Sequence, residues 1–280
     1  MANQIFDINN FAIDRVLRGV MVSTADGSVM WSINQITDPS LNVTAETAEV
    51  VDALGTPIVT FNRGKQAEFT ANNSLFDLGL YAAQQGREKE VASEEKKIIS
   101  PAFETIDVAN DKTTIELKND PYNEIKEIFA LKGDGTFGER YLDEAYNEQL
   151  KADPKTEHKA VDEAHVFSRS GKTITLPTNV TPGSQIFVAY EYEATQAVAV
   201  TGDAINFPKA GKFIMEVLGT DVCDVTTLVH AYIVFPNAKL DANVDVSFTT
   251  DGNHPFTLQA QQAYCDKEKV LFKVIIPDEE

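Results

Sequence analysis

The sequence predicts a mainly β fold, a sandwich or barrel, with one short packed α-helix and an inserted acidic, β-rich block. Three observations carry this. Short apolar runs recur throughout, closed by Gly, Pro, Asn and Asp. The apolar period leaves two only once in the N-terminal third, between Asn72 and Gly86. The texture changes at Arg87–Lys97, a charge-dense stretch that reads as a solvated linker.

In chain order, Arg18–Ala25 and Ser28–Ile33 flank Asp26-Gly27, a strong hairpin signal. After Pro39, Leu41, Val43 and Ala45 alternate with polar residues, which predicts a half-buried strand. Ile58–Phe61 and Gln66–Ala71 resume β character around Arg63-Gly64-Lys65. Ser74 is placed to cap a helix with Leu75, Leu78 and Ala82 on its buried face, and Gly86 to stop it.

From Ile98 to Thr195 carboxylates are frequent and alternation is less regular. Glu127–Lys132, Gly133-Asp-Gly135 and Thr136–Tyr141 form a hairpin pattern, and Leu142–Glu163 reads as a mobile or partly helical loop. Lys172–Leu176 and Gln185–Glu193 follow as strands, the second with Ile186, Val188, Tyr190 and Tyr192 on one face. This division predicts one β domain from residues 1–97 and 196–280 and an inserted subdomain or extended loops over 98–195. The C-terminal segment supplies five strand patterns: Lys212–Leu218, Leu228–Phe235, Val244–Phe248, Phe256–Tyr264 and Val270–Ile276.

Charge narrows the function. Forty-three acidic residues against 24 basic ones give a net −19. A surface that wraps nucleic acid must be cationic, which argues against such a role; simple solubility or a salt-adapted host accounts for the charge, as does a surface that DNA must pass without sticking. The apolar stretch Val16–Val22 is interrupted by Arg18 and Gly19 and is too short for a signal or a membrane span, so the sequons at Asn42, Asn72 and Asn179 carry little meaning. Cys223 and Cys265, the only cysteines, read as structural, and as buried thiols ahead of a disulfide.

Chemistry is hard to find. No Gly-x-Ser-x-Gly elbow occurs, and neither cysteine has a neighbourhood that would lower a thiol pKa. His158, His165, His230 and His254 are scattered without zinc-ligand spacing. Asp134 and Glu139 lack the spacing of an EF-hand loop. Gly133-Asp-Gly135-Thr-Phe-Gly138 formally matches Gly-x-Gly-x-x-Gly, but the carboxylates of Glu139, Asp143 and Glu144 follow where a pyrophosphate would dock. The expectation is a non-enzymatic chain with no catalytic residue, cofactor or metal.

Two segments resemble the major tail tube proteins of tailed bacteriophages. One runs from Ile36-Thr-Asp-Pro-Ser-Leu-Asn-Val through Ile58–Ala71 to Ser74–Gly86. The other runs from Leu228–Asp241 through Val244–Phe248 and Phe256–Ala263 to Pro277-Asp-Glu-Glu. The resemblance implies a sandwich or half-barrel of the tail tube type, forming stacked homo-oligomeric rings with other tail proteins as partners and no membrane partner. It also implies hexameric stoichiometry, a long loop contacting the next ring, assembly in the host bacterial cytoplasm, and a negatively charged lumen through which DNA passes as cargo. Two other readings fit the texture: a capsid decoration or head protein, and a carbohydrate-binding sandwich, which the single Trp31 disfavours. A glycosidase-like carboxylate pair has no apolar pocket sequence around it.

Overall fold

The computed structural model describes residues 8–110, 113–153, 159–222, 224–250, 252–262 and 268–277. Cys223, Cys265 and His158 lie outside these described residues. The chain divides into two compact units, Met1–Lys89 with Val200–Glu280, and Glu90–Ala199.

The first unit contains β1 (Phe11–Val22), β2 (Val29–Ile33), β3 (Ile36–Val51), β4 (Pro57–Asn73) and helix α1 (Leu78–Gln84). The second contains β5 (Glu90–Val91), β6 (Ile98–Asp107), β7 (Thr114–Glu116), β8 (Glu127–Leu131), β9 (Phe137–Asp143), helix α2 (Glu144–Ala152), β10 (Val166–Ser170), β11 (Thr173–Thr175), β12 (Gln185–Ala194) and β13 (Val198–Ala199). The chain then returns to the first unit with β14 (Ala210–Asp221), β15 (Asp224–Leu240), β16 (His254–Ala260) and β17 (Lys273–Ile275). The fold is mainly β.

In the first unit the sheet order is β2-β1-β14-β15-β16-β4-β3, with β17 pairing β15. This sheet curls into a half-barrel. In a flat sheet Trp31 on β2 and Phe256 on β16, four strand spacings apart, would sit about 19 Å from one another. Their ring centroids are 6.1 Å apart. Phe213 lies between them, touching Trp31, Phe69, Phe235 and Phe256 at 5.6–6.5 Å. The aromatic rings therefore fill the concave side and hold the two flanks of the sheet together.

Helix α1 closes this core with Leu80 and Ala82. Its cap is Asp77, whose Oδ1 accepts the Leu80 N–H at 2.7 Å, and not the expected Ser74, whose N–H bonds the Gln35 carbonyl instead. Starting three residues later turns the helix, so Leu75 and Leu78 face solvent. Gly86 does end it, at φ +67°, with Gly86 N–H on Ala83 O and Arg87 N–H on Ala82 O, the two bonds of a Schellman motif.

Other expectations change. Leu41, Val43 and Ala45 do lie in one strand, but only Leu41 is half-buried, because β3 runs on past the body of the sheet. Val244–Phe248 is irregular backbone, and the strand begun near Phe256 ends at Ala260. The strand expected to end at Phe235 runs on to Leu240, and Pro236 lies inside β15 where the register slips by one residue between Gly211 and Phe213, a bulge that needs no N–H from it.

The second unit has a seven-stranded sheet, β6-β12-β8-β9-β10-β11-β7, and the small pair β13-β5. That pair draws Glu90–Val91 and Val198–Ala199 into this unit. Its core is largely aliphatic, with Ile128, Ile174, Ile186 and Val188 fully buried beside Tyr141 and Phe167. Leu142–Glu163, read as partly helical, supplies the second helix: Asp143 caps α2 by accepting from Ala145 and Tyr146 N–H. Buried Asn147 then exchanges two hydrogen bonds with the Val161 backbone, fixing the chain that follows.

Candidate assembly surfaces

Three surfaces of the first unit are unfinished within one chain. The first is the arm made by the outer halves of β3 and β4. Cross-strand pairs set Glu46 opposite Arg63, Ala48 opposite Phe61 and Val50 opposite Val59 on one face, with Thr47–Asn62 and Glu49–Thr60 on the other. The arm is thus amphipathic. Val50, Val59 and Phe61 are nonetheless exposed, as are Val51 and Ile58. Gly64, at φ +57°, sits in the bulge where the arm leaves the body of the sheet.

The arm's tip is tightly built. Asp52 Oδ1 accepts the N–H groups of Leu54 and Thr56, both at 2.8 Å, and Gly55 turns the chain at φ +85°. This order holds Leu54 91% exposed. A two-stranded ribbon is at best marginally stable in water, and an ordered apolar tip gains nothing there.

The second surface is the pair of sheet edges. Among the described residues β2 pairs only with β1, and β3 only with β4. Each leaves a row of backbone groups facing outward.

The third is the face of the sheet opposite the aromatic core. From β16 across β4 to β3 the register aligns Gln259, Glu68 and Asn42 in one row and Thr257, Thr70 and Ser40 in the next. Their strand neighbours Leu258, Phe256, Phe69 and Ala71 point into the core. Hydroxyl and amide groups dominate this half. Further along, Arg18 and Glu216 approach to 2.5 Å, and His230 Nδ1 lies 2.9 Å from Glu216 at an angle unsuited to a hydrogen bond. The acidic charge is not concentrated in the second unit: residues 90–199 carry 21 acidic and 12 basic residues, a net −9, leaving −10 for the remainder.

The residues singled out for chemistry take structural places. Gly133 and Gly135 lie in the β8–β9 turn and Gly138 in strand β9, with Lys132 N–H on Thr136 O and Asp134 accepting from Thr136, so no helix opens where a dinucleotide would need one. Glu139 is instead committed to Tyr141 and His165. Burial and the Glu139 carboxylate push the Tyr141 hydroxyl up to about 12. His165 Nδ1 lies 2.5 Å from Asp162, which raises its pKa despite some burial. His254 is fully buried. Its Nδ1 accepts the Asp77 N–H, its Nε2 meets Gln84 Oε1 at 2.8 Å, and desolvation lowers its pKa. Gln84 Nε2 in turn bonds the Pro255 carbonyl, so neutral His254 ties α1 to β16. Among the described residues no group of three His, Cys, Asp or Glu side chains is arranged to hold a metal, and no helix is long and apolar enough to cross a membrane.

Sequence patterning missed Asp77, the His254–Gln84 lock and the exposure of Leu54 at the arm's tip. Alternating apolar residues look the same whether a strand packs on its own core or on another molecule.

No curated protein matches the chain. The model of the YomU/Tube protein family matches residues 11–270. The chain belongs to the YomU/Tube protein family, and is a structural tail tube protein of the virion, in keeping with its resemblance to phage tail tube proteins.

Proposed function

We propose that the chain self-assembles into stacked rings that form the conduit of a phage tail, with the first unit as the ring-forming domain and the second as an outward or inter-ring addition. The observation that carries this is the combination of two open edges with an ordered apolar arm. In a head-to-tail ring, β2 of one copy lies beside β3 of the next, and the row of unpaired backbone groups on each is satisfied. Closure of the ring removes both edges, and six-fold closure is what the resemblance implies. The arm reaches beyond this contact, about 30 Å of ribbon from Gln66 to Leu54 at the usual rise per residue.

The face opposite the core then lines the lumen. Its Thr, Ser, Asn and Gln side chains present no row of cations to bind phosphates, and the field of a chain carrying −19 keeps the passage negative. DNA meets a wet, hydroxyl- and amide-rich wall and slides.

Negative-stain electron microscopy of the purified chain tests this. Hollow tubes or stacked rings are expected. A protein that stays monomeric at high concentration and low ionic strength would sink the reading.

A further inference from the structure

A groove of about 760 Å³ lies beside the edge strand β2 of the first unit. Its walls are the β1–β2 turn, the β2 residues Val29, Met30 and Trp31, and the Gly79, Ala82 and Ala83 side of α1. Small residues on the helix keep the groove open, and Trp31, only 4% exposed, forms a firm apolar floor. Arg87, Lys89 and Lys209 stand at its rim, against Asp26 and Glu88. Asp26 is folded back on its own turn, accepting from the Ser28 N–H and hydroxyl, and Arg87 is bonded to Asp203. Lys89 and Lys209 remain as the exposed cations.

We propose that this groove receives the tip of the β3–β4 arm of another copy of the chain. The inference rests on the tube reading and adds the acceptor to it. Three observations argue for this occupant. Beyond the Glu46–Arg63 pair, from Thr47 to Asn62, the arm carries Glu49 and Asp52 and no basic residue, the complement of a lysine-bearing rim. The tip presents one rigidly held aliphatic side chain, Leu54, which suits a groove floored by Trp31 and walled by alanines. A chain's own tip does not fill its own groove, since Leu54 stays 91% exposed. The groove also borders β2, so an arm docked there is continuous with an edge-to-edge contact along that strand.

A photoreactive benzoylphenylalanine at position 54, in heavy-isotope-labelled chain mixed with unlabelled chain during assembly, tests the assignment. Cross-linked peptides should join labelled position 54 to unlabelled Val29–Trp31 or Gly79–Ala83. In parallel, Leu54→Asp should raise the concentration needed for assembly by about tenfold or more. Lys89→Glu with Lys209→Glu should impair assembly, and Glu49→Lys on the arm should restore it at least in part, which a merely folded-state defect would not allow. Tubes whose position 54 cross-links elsewhere overturn the groove while leaving the tube reading intact. A chain that neither forms tubes nor cross-links between copies overturns both.

Discussion

The two units solve the same problem, a β sheet that must cover one face, with different materials. The first fills the concave side of a curled sheet with rings: Trp31, Phe69, Phe213, Phe235 and Phe256 are buried and in mutual contact. The second buries mainly Ile, Leu and Val and sets a stripe of rings on its outer face, where Phe103, Phe187, Phe137 and Phe129 lie 4.8–6.2 Å apart in sequence along the stripe. Large rings span the gap between opposed flanks that aliphatic side chains would leave as cavities. A half-barrel therefore depends on a few central rings, whereas the second unit's core is spread over many equivalent positions.

The largest expected effect tests that dependence. Phe213 is fully buried and touches four other rings, so Phe213→Ala should cost about 3–5 kcal/mol and leave a cavity the curled sheet cannot close. Trp31 is the only tryptophan and packs on Phe213, so its fluorescence in a denaturant titration reports on the first unit alone. Ile174→Ala should lower the stability of the second unit by about 2–5 kcal/mol while leaving the Trp31 transition in place. If both substitutions move that transition equally, the contrast between hub and distributed core is wrong.

Glycines with positive φ sharpen the comparison next. Gly86 ends α1 at φ +67°, and a Cβ there would lie 2.3 Å from the Phe207 carbonyl oxygen. Gly135 turns the β8–β9 hairpin at φ +80° with nothing within 4 Å. Gly135→Ala should therefore cost only the left-handed strain, about 1–2 kcal/mol. Gly86→Ala adds a backbone collision and should cost clearly more. Thermal melts of the two variants should separate by several degrees.

Much of this architecture was legible. Asp26-Gly27 and Gly133-Asp-Gly135 marked their hairpins because such turns need residues that accept special backbone angles. Gly86 marked the helix end for the same reason. What escaped was anything decided by distant partners. Asp77 outcompetes Ser74 as the cap because His254, far along the chain, takes the Asp77 N–H and fixes where the helix begins. Val244–Phe248 alternates like a strand but pairs with no strand among the described residues. The assembly surfaces were legible only as family resemblance, because exposure of Val50, Leu54 and Phe61 is a property of the folded arm and not of their spacing.

The histidines should give the units opposite responses to pH. Neutral His254 uses one ring nitrogen as an acceptor from Asp77 N–H, and burial holds its pKa below the ordinary value of about 6.5. The unfolded chain then takes up the proton first. The stability it contributes is complete above that ordinary value and is lost as pH falls below it. His165 faces Asp162 and Glu139, with Tyr141 stacked on its ring and the Asn179 amide 2.7 Å from Nε2. Its pKa is raised, so its contribution is complete at low pH and is lost as pH rises through that raised value. Hydrogen exchange between about pH 5 and 8 should show the α1 amides loosening on the acid side and those around Ala164 and His165 loosening on the alkaline side. Loosening of both in the same direction would break the comparison.

The smallest effect belongs to the charged surface of the second unit. Lys151 Nζ lies 2.7 Å from Glu148 and 2.6 Å from Glu163, and these carboxylates raise its pKa. The geometry looks strong, yet all three side chains are well exposed, so water and salt screen the attraction and ordering three long side chains offsets much of the rest. Lys151→Ala should therefore change stability by no more than about 0.5 kcal/mol, and that small difference should vanish at high salt. By contrast, Asp143→Ala removes a carboxylate that satisfies two N–H groups at the start of the same helix and should cost about 1 kcal/mol with little salt dependence. A Lys151→Ala loss larger than the Asp143→Ala loss would mean that the second unit relies on its ion pairs more than on its backbone caps, and that its charge is structural.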